Sequence, residues 1–380
     1  MEVRQVVLEK GVPATGDLDE LVAMAPQWVL VFASVPCLEN GALVPALEAA
    51  FPRAQRVGCS TAGEISCDGV GDGSAVVTAI RFDNPAFRVA EAELEGMEDS
   101  ATAGQRLAAQ LAGAGLNHVL VFGQGVNING SALIAGMRQA LGPEVTVSGG
   151  LAGDDGAFRR TLTLSNSGVS DRRIVAVGFY GATLRLSHGS FGGWQPFGPA
   201  RQVTRSAGNI LFELDGEPAL EVYKRYLGAY AKDLPASGLL FPFAMLGADH
   251  NATGLIRTIL GVDEAAGSLV LAGDIEQGGY LRLMHASTDA LVDGAQAAAE
   301  AARQVQASAS DSLSLLVSCV GRKLVMGARV DEEVEAVGDV LGTRSTLCGF
   351  YSYGEISPFV DSTDCRLHNQ TMTITSLVEL

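Results

Sequence analysis

Three near-continuous apolar runs, at 28–32, 118–122 and 313–317, lack the polar alternation of a half-solvated strand. Such runs predict strands covered on both faces. Each is followed by a segment with apolar residues three and four apart, around 41–50, 130–141 and 331–341, as with Leu43, Leu47 and Ala50 in the first. That spacing predicts an amphipathic helix. Buried strands alternating with helices predict an α/β fold.

Each helix leads to a glycine-rich segment that ends in an acid. The three read Gly58-Cys59-Ser60-Thr61-Ala62-Gly63-Glu64, Ser148-Gly149-Gly150-Leu151-Ala152-Gly153-Asp154 and Gly349-Phe350-Tyr351-Ser352-Tyr353-Gly354-Glu355. The first and last continue as Ile65-Ser66 and Ile356-Ser357, so both carry Gly-Glu-Ile-Ser. This is an internal repeat, and glycine followed by an acid is expected to form a turn. Upstream of the second copy lie apolar segments at 75–82 and 87–94 and a helix at about 100–113; upstream of the third lie 268–275, 280–285 and a helix at about 288–306. The expected architecture is a two-domain α/β fold whose repeated β-β-α-β-α-β units form mixed sheets covered by helices.

A further partial unit starts at 173–180 and 183–190, then gives way to a glycine- and proline-containing insertion at 190–199. Insertions in repeats are where function tends to be added. Beyond it, strands are expected at 203–204 and 209–214, a turn at Asp215-Gly216 and a helix at 218–227 with Pro218 in its first position. A boundary near 222 would divide the chain into domains 1–222 and 223–380.

Composition narrows the function. The 380 residues are 47% apolar and 18% charged, enough for a sizeable core. A net charge of −17 disfavours nucleic acid and anionic membranes as partners, since no global positive field attracts phosphates. The first residues mix Glu2, Arg4, Glu9 and Lys10 with valines and lack the apolar core of a secretory leader, and no run of about 18 apolar residues occurs, so a cytoplasmic protein is expected. Cys37, Cys59, Cys67, Cys319, Cys348 and Cys365 show no Cys-x-x-Cys spacing and are expected to be reduced thiols. Phosphate-loop, Gly-x-Ser-x-Gly and His-Glu-x-x-His motifs are absent, and Gly123-Gln124-Gly125 lacks the third glycine of a dinucleotide fingerprint.

Val57 to Ile65, Leu214-Asp215-Gly216-Glu217-Pro218-Ala219-Leu220 and Gly349 to Ile356 together resemble the FIST proteins, with their N-terminal and C-terminal FIST domains. The resemblance covers nearly the full length. It implies a sensory, ligand-binding protein of bacterial signal transduction rather than an enzyme. Some stand-alone members bind haem, sense nitric oxide and regulate a separate histidine kinase or cyclic-di-GMP enzyme. The implied partners are a small-molecule or gas ligand and a signalling protein such as a histidine kinase, with a homodimer as the assembly.

A haem needs an axial ligand, an apolar slot and cations for its propionates. His188 lies beside Phe191, Trp194 and Phe197, in a segment from 158 to 206 that carries Arg159, Arg160, Arg172, Arg173, Arg185, Arg201 and Arg205 against Asp171 alone. His188 is the expected axial ligand, the aromatics the slot, and Arg185, Arg201 and Arg205 the propionate partners; the same arginines could instead pair with the chain's excess acids. Leu281-Arg282-Leu283-Met284-His285 echoes Leu184-Arg185-Leu186-Ser187-His188, which nominates His285 as the alternative ligand and also permits a structural histidine at both places. His118, His250 and His368 read as structural or exposed. A second reading gives Glu64 and Glu355 the ammonium of an amino-acid-like metabolite, or the duty of fixing their turns by hydrogen bonds. A third makes Cys59 a catalytic nucleophile, although no histidine base lies near it in the sequence.

Overall fold

The computed structural model describes residues 1–305, 311–359 and 362–380. Among these residues the strands form three six-stranded sheets and one of eight. The three smaller sheets are copies of one plan. Each has an edge strand, a return strand and a parallel pair: Glu2–Glu9, Ser74–Arg81, Trp28–Ala33 and Gln55–Ser60 in the first; Phe87–Glu93, Arg173–Tyr180, Leu116–Gly123 and Thr146–Leu151 in the second; Leu184–Phe191, Met372–Glu379, Ser312–Cys319 and Ser345–Ser352 in the third. The expected apolar runs are the first strands of the three parallel pairs.

The remaining two strands of each sheet come from a different unit. After its parallel pair, each unit sends a short hairpin across to a neighbour. Glu64–Ser66 and Gly69–Gly71 complete the third sheet, with Ile65 opposite Gly349. Thr163–Ser165 and Gly168–Ser170 complete the first, with Thr163 opposite Cys59. Gly354–Pro358 and Cys365–His368 complete the second, with Ile356 opposite Gly149. The exchange closes into a ring.

The glycine-acid segments therefore need correcting from turns to crossings. Gly58, Gly149 and Gly349 lie inside strands, opposite Val31, Val121 and Leu316 of the neighbouring parallel strand. A Cβ at these positions would stand 1.8, 1.9 and 1.8 Å from the opposing carbonyl oxygen, so each unit uses glycine where its two parallel strands press together. Only at the following residues does the chain leave one sheet for the next.

The inner faces of the three sheets meet in one apolar layer. Phe32, Phe122 and Phe350, one from each unit, cluster with ring centroids 4.8 to 6.1 Å apart. Phe350 belongs to the second strand of its pair, where the other units carry Cys59 and Gly150; a Cβ on Gly150 would come within 3.1 Å of the Phe350 ring, so the small residue makes room for the large one. Outer faces are covered by helices, among them Leu43–Ala50, Ser100–Leu111, Gly130–Leu141, Thr288–Ala302 and Asp331–Leu341. The helix expected to reach 306 gives way to a 3₁₀ turn at Arg303–Val305, and residue 306 lies outside the described residues.

The third unit's beginning is also corrected. Its edge strand is Leu184–Phe191, whereas 268–275 and 280–285 belong to the eight-stranded sheet inserted between 195 and 285. The echo of 184–188 at 281–285 is thus a likeness between a ring strand and an insert strand. The insert has its own core, including Leu214, Val222, Tyr223 and Leu283. Residue 222 falls within the insert helix Ala219–Leu227, where Pro218 is the residue just before the first turn.

A buried ion pair fastens the insert's exit and re-entry. Arg322 and Glu333 are both fully enclosed, 2.7 Å apart. The guanidinium also donates to Gly192 O, where the chain leaves the ring, and to Leu291 O, where it returns. Glu333 accepts from Ser318 and Tyr351 hydroxyls. Arg322→Met strands the Glu333 carboxylate and should destabilise the protein by about 3–5 kcal/mol, while adding Glu333→Leu should recover much of the loss. Urea unfolding of the single and double variants checks this.

Candidate functional site

At the carboxyl ends of the first unit's parallel strands lies a cleft of about 660 Å³. Crevices at strand carboxyl ends are the usual ligand sites of open α/β sheets, because the loops there diverge to opposite faces. Ser34 leaves the first strand and caps the helix Val35–Glu39, accepting from Cys37 N at 3.4 Å. Thr61 and Glu64 leave the second strand. The second unit's crossing supplies the facing wall, with Asp154, Asp155, Arg159 and Arg160.

Glu64 lies at the buried end of this cleft. The Thr61 hydroxyl donates to Oε1, while Ser74 donates to Oε2 through its amide at 3.0 Å and its hydroxyl at 2.7 Å. Burial raises its pKa above the ordinary carboxyl value against the pull of these donors. Glu355 repeats the pattern: Ser352 donates to Oε1 at 2.8 Å, and Thr371 donates to Oε2 through amide and hydroxyl at 3.1 and 2.9 Å. Here the carboxyl is fully enclosed, and burial pushes it up to about 7. Asp154, the third acid, instead accepts from the amides of Phe158, Arg159 and Arg160 and from the Tyr353 hydroxyl, shaping the loop that walls the cleft.

The cleft's charges divide into satisfied and free. Asp72 pairs with Lys323, and Arg160 with Glu39 and Asp171. Lys10, Asp155 and Arg159 line the cleft without an ion-pair partner among the described residues. Cys37 adds a thiol whose pKa is raised by burial and by the Glu64 charge. The arrangement offers fixed acceptors and an acid to an ammonium, and two free cations to a carboxylate.

The aromatic and histidine cluster expected around 188–197 does not assemble. The His188 ring points into the layer between two sheets, stacked on His118 at 4.8 Å, with Nδ1 3.4 Å from Thr375 Oγ1. Burial lowers it to about 4. Phe191, three residues on in the same strand, projects to the opposite face and is exposed, as is Phe197. The Trp194 indole donates to Gln370 O at 2.7 Å. Arg185 is exposed on the face away from His188; Arg201 pairs with Asp215 and Arg205 with Glu213. With its ring face covered by His118 and the expected aromatics on other surfaces, His188 and its described neighbours do not fit a haem. His285 faces Phe197 with centroids 5.9 Å apart on the insert's surface, an open site rather than an enclosed one. Cys59 is wholly buried in the three-sheet core, which raises its thiol pKa and keeps it from meeting a substrate as a nucleophile. His118 and His368 are buried and structural.

Sequence reasoning named Glu64 and, in its arginine-rich stretch, Arg159; it missed Lys10, Ser34, Cys37 and Asp155. The position of Ser34 and Cys37 at the start of the short helix directly after a buried parallel strand is the signal that points to them.

Comparison with known proteins supplies the family. The FIST N domain matches residues 27–217 and the FIST C domain residues 219–358. The chain belongs to the FIST family. FIST domains are sensory domains of signal transduction, and the cleft lies wholly within the FIST N match apart from Lys10. The two matches meet just before the insert helix at Ala219, so the family's domain division runs through the insert rather than between it and the ring. An uncharacterized protein of Methanocaldococcus jannaschii, MJ1623, is 25% identical over 243 residues, covering 59% of this chain and 44% of that protein. The chain thus spans less than half the length of that relative. A cyanuric acid hydrolase from A. caulinodans aligns over 99% of both chains with a TM-score of 0.36 and 11% identity, a likeness that carries no argument. No helix among the described residues is long and apolar enough to cross a membrane.

Because the folded Glu355 holds its proton up to about pH 7 and an unfolded carboxyl only to about 4.5, its contribution to stability is present below pH 4.5 and lost as pH rises through 7. Buried His188 and His368, lowered from 6.5 to about 4, act in the opposite sense. Comparison with Glu355→Gln isolates the carboxyl: relative to the variant, the wild type should lose stability between pH 5 and pH 7, by roughly 1–3 kcal/mol, as read from urea midpoints at each pH.

Proposed function

We propose that this FIST protein senses a zwitterionic, amino-acid-like metabolite in the cleft at Glu64 and passes the signal to a separate signalling protein such as a histidine kinase or a cyclic-di-GMP enzyme. The observation that carries this reading is the meeting of charges of both signs that have no ion-pair partner among the described residues, Asp155 against Lys10 and Arg159, around a cavity with a buried acid at its end.

The chemistry follows from those groups. A ligand ammonium near Glu64 and Asp155 favours the ionised carboxylates and offsets the burial that raises the Glu64 pKa. The ligand carboxylate takes hydrogen bonds and charge from Arg159 and Lys10. About 660 Å³ accommodates an amino acid with its side chain, so selectivity lies with the remaining wall, which includes Val35, Pro36 and Ala157. A ligand here touches the crossings of two units at once. Binding that bridges them favours whichever relative placement of the units brings those charges to the ligand, and that shift is the signal a partner can read. Haem has no part in this reading, because the residues around His188 do not fit it.

Titration of amino acids into the purified chain, followed by its unfolding midpoint and by calorimetry, tests the proposal. At least one should raise the midpoint by mass action. Glu64→Gln and Arg159→Ala should each weaken that ligand by about tenfold or more. A flat response across all common amino acids and their amine-only and acid-only analogues rejects the reading.

A further inference from the structure

A second groove, of about 890 Å³, runs along the seam between the insert and the second unit. One wall is the helix Gly130–Leu141, another the insert strand Ala252–Arg257, and the hairpin strand Cys365–His368 lies between them. We infer that this seam is a separate ligand site, in which Arg257 takes the carboxylate of an organic acid with an apolar body.

Arg257 is 4% exposed, yet every acceptor it has among the described residues is a neutral carbonyl. Its Nε donates to Asp274 O at 3.2 Å, and its Nη1 to Ile256 O at 3.0 Å and Leu367 O at 3.3 Å. Among the described residues no carboxylate forms an ion pair with it. The Asp274 carboxylate accepts instead from Asn129 at 3.3 Å. Arg138 and Arg366, also lining the groove, share Asp364 and leave it no charge to spare for Arg257.

A buried charge without a counter-ion is costly and is normally matched by a partner of opposite sign. The cost is visible in the group itself: burial, only partly offset by the Asp274 carboxylate and reinforced by the neighbouring Arg366, brings Arg257 down to about 10. The pocket around it is nevertheless built. Gly273, at φ +139°, lies flat against the guanidinium, where a Cβ would stand 2.8 Å from Nε and 3.0 Å from Cζ. The backbone carbonyls fix Nε and Nη1, leaving Nη2 with no acceptor among the described residues, in a side chain that lines the groove. An incoming carboxylate completes both its hydrogen bonding and its charge. Ile134, Leu255 and Phe359 offer apolar contact beside it, which favours an organic acid over a bare inorganic anion. Because the walls belong to the insert and to the ring, an occupant joins the two.

The test uses the full chain and three probes at equal ionic strength: phenylacetate, benzylamine with the same ring but no carboxylate, and inorganic phosphate. Phenylacetate should raise the unfolding midpoint, while benzylamine and phosphate should not. Arg257→Met should raise the phenylacetate Kd by about tenfold or more. Leu255→Trp, which fills the groove and leaves the guanidinium in place, should abolish the response and decides the matter if Arg257→Met fails to fold. Either variant should keep any amino-acid response of the Glu64 cleft, which separates this site from that one. An equal response to benzylamine or phosphate, no response to phenylacetate and its shorter and longer apolar homologues, or a response untouched by Leu255→Trp would overturn the inference.

Discussion

No unit of this protein completes its own sheet. Each parallel pair is extended by a hairpin that arrives from another unit, so the backbone hydrogen bonds that finish one sheet are made by a segment whose own strands lie elsewhere. The three crossings also bond to one another. Ala62 and Gly63 pair with Tyr351, Gly153 N and Asp155 N donate to Ser60 O and Thr61 O, and Tyr353 N donates to Leu151 O. Removing any one crossing would leave unpaired backbone at two others, and buried unpaired backbone is expensive. The close approach at Gly58, Gly149 and Gly349 belongs to the same constraint, since the parallel pair must be tight just before the chain crosses over.

The scaffold explains why two acids with the same kinds of hydrogen-bond partner differ in their surroundings. Glu64 and Glu355 each begin a crossing hairpin and each are held by a hydroxyl three residues earlier and by the amide and hydroxyl of a later Ser or Thr. That shared geometry is structural: it fixes the hairpin to the strand that follows. What separates them is what lies outside. The first unit has short helices after its first strand, Val35–Glu39 and Leu43–Ala50, and leaves the end of its sheet open at Glu64. Glu355 is sealed within the protein.

Much of this was legible in the chain itself. The apolar runs, the helices and the threefold recurrence of glycine followed by an acid gave the strands, the layers and the family. The phase of the third copy was misread because Leu281-Arg282-Leu283 repeats the strand pattern of Leu184-Arg185-Leu186, and a local pattern of alternating side chains is common to any half-covered strand. Nothing local in the sequence distinguishes a glycine that bends the chain from one that admits a neighbouring carbonyl, so a glycine-acid pair predicts a turn where the fold has a crossing. The arginine-rich stretch looked like a site because net charge is countable along a chain, whereas its partners, Asp215, Glu213 and Glu91 among them, become neighbours only on folding. His188 and Phe191 do not come together for a simple reason: alternation places them on opposite faces of one strand.

The hairpin at Glu64–Ser66 has a consequence for the order of events in synthesis. Its sheet partner, Ser345–Ser352, is made long after it, so an early hairpin must wait, unpaired, until that distant strand has been synthesised. The hairpin's two strands of three residues, joined through Cys67 and Asp68, keep that exposed edge short, a safeguard against pairing with another nascent chain in the interval.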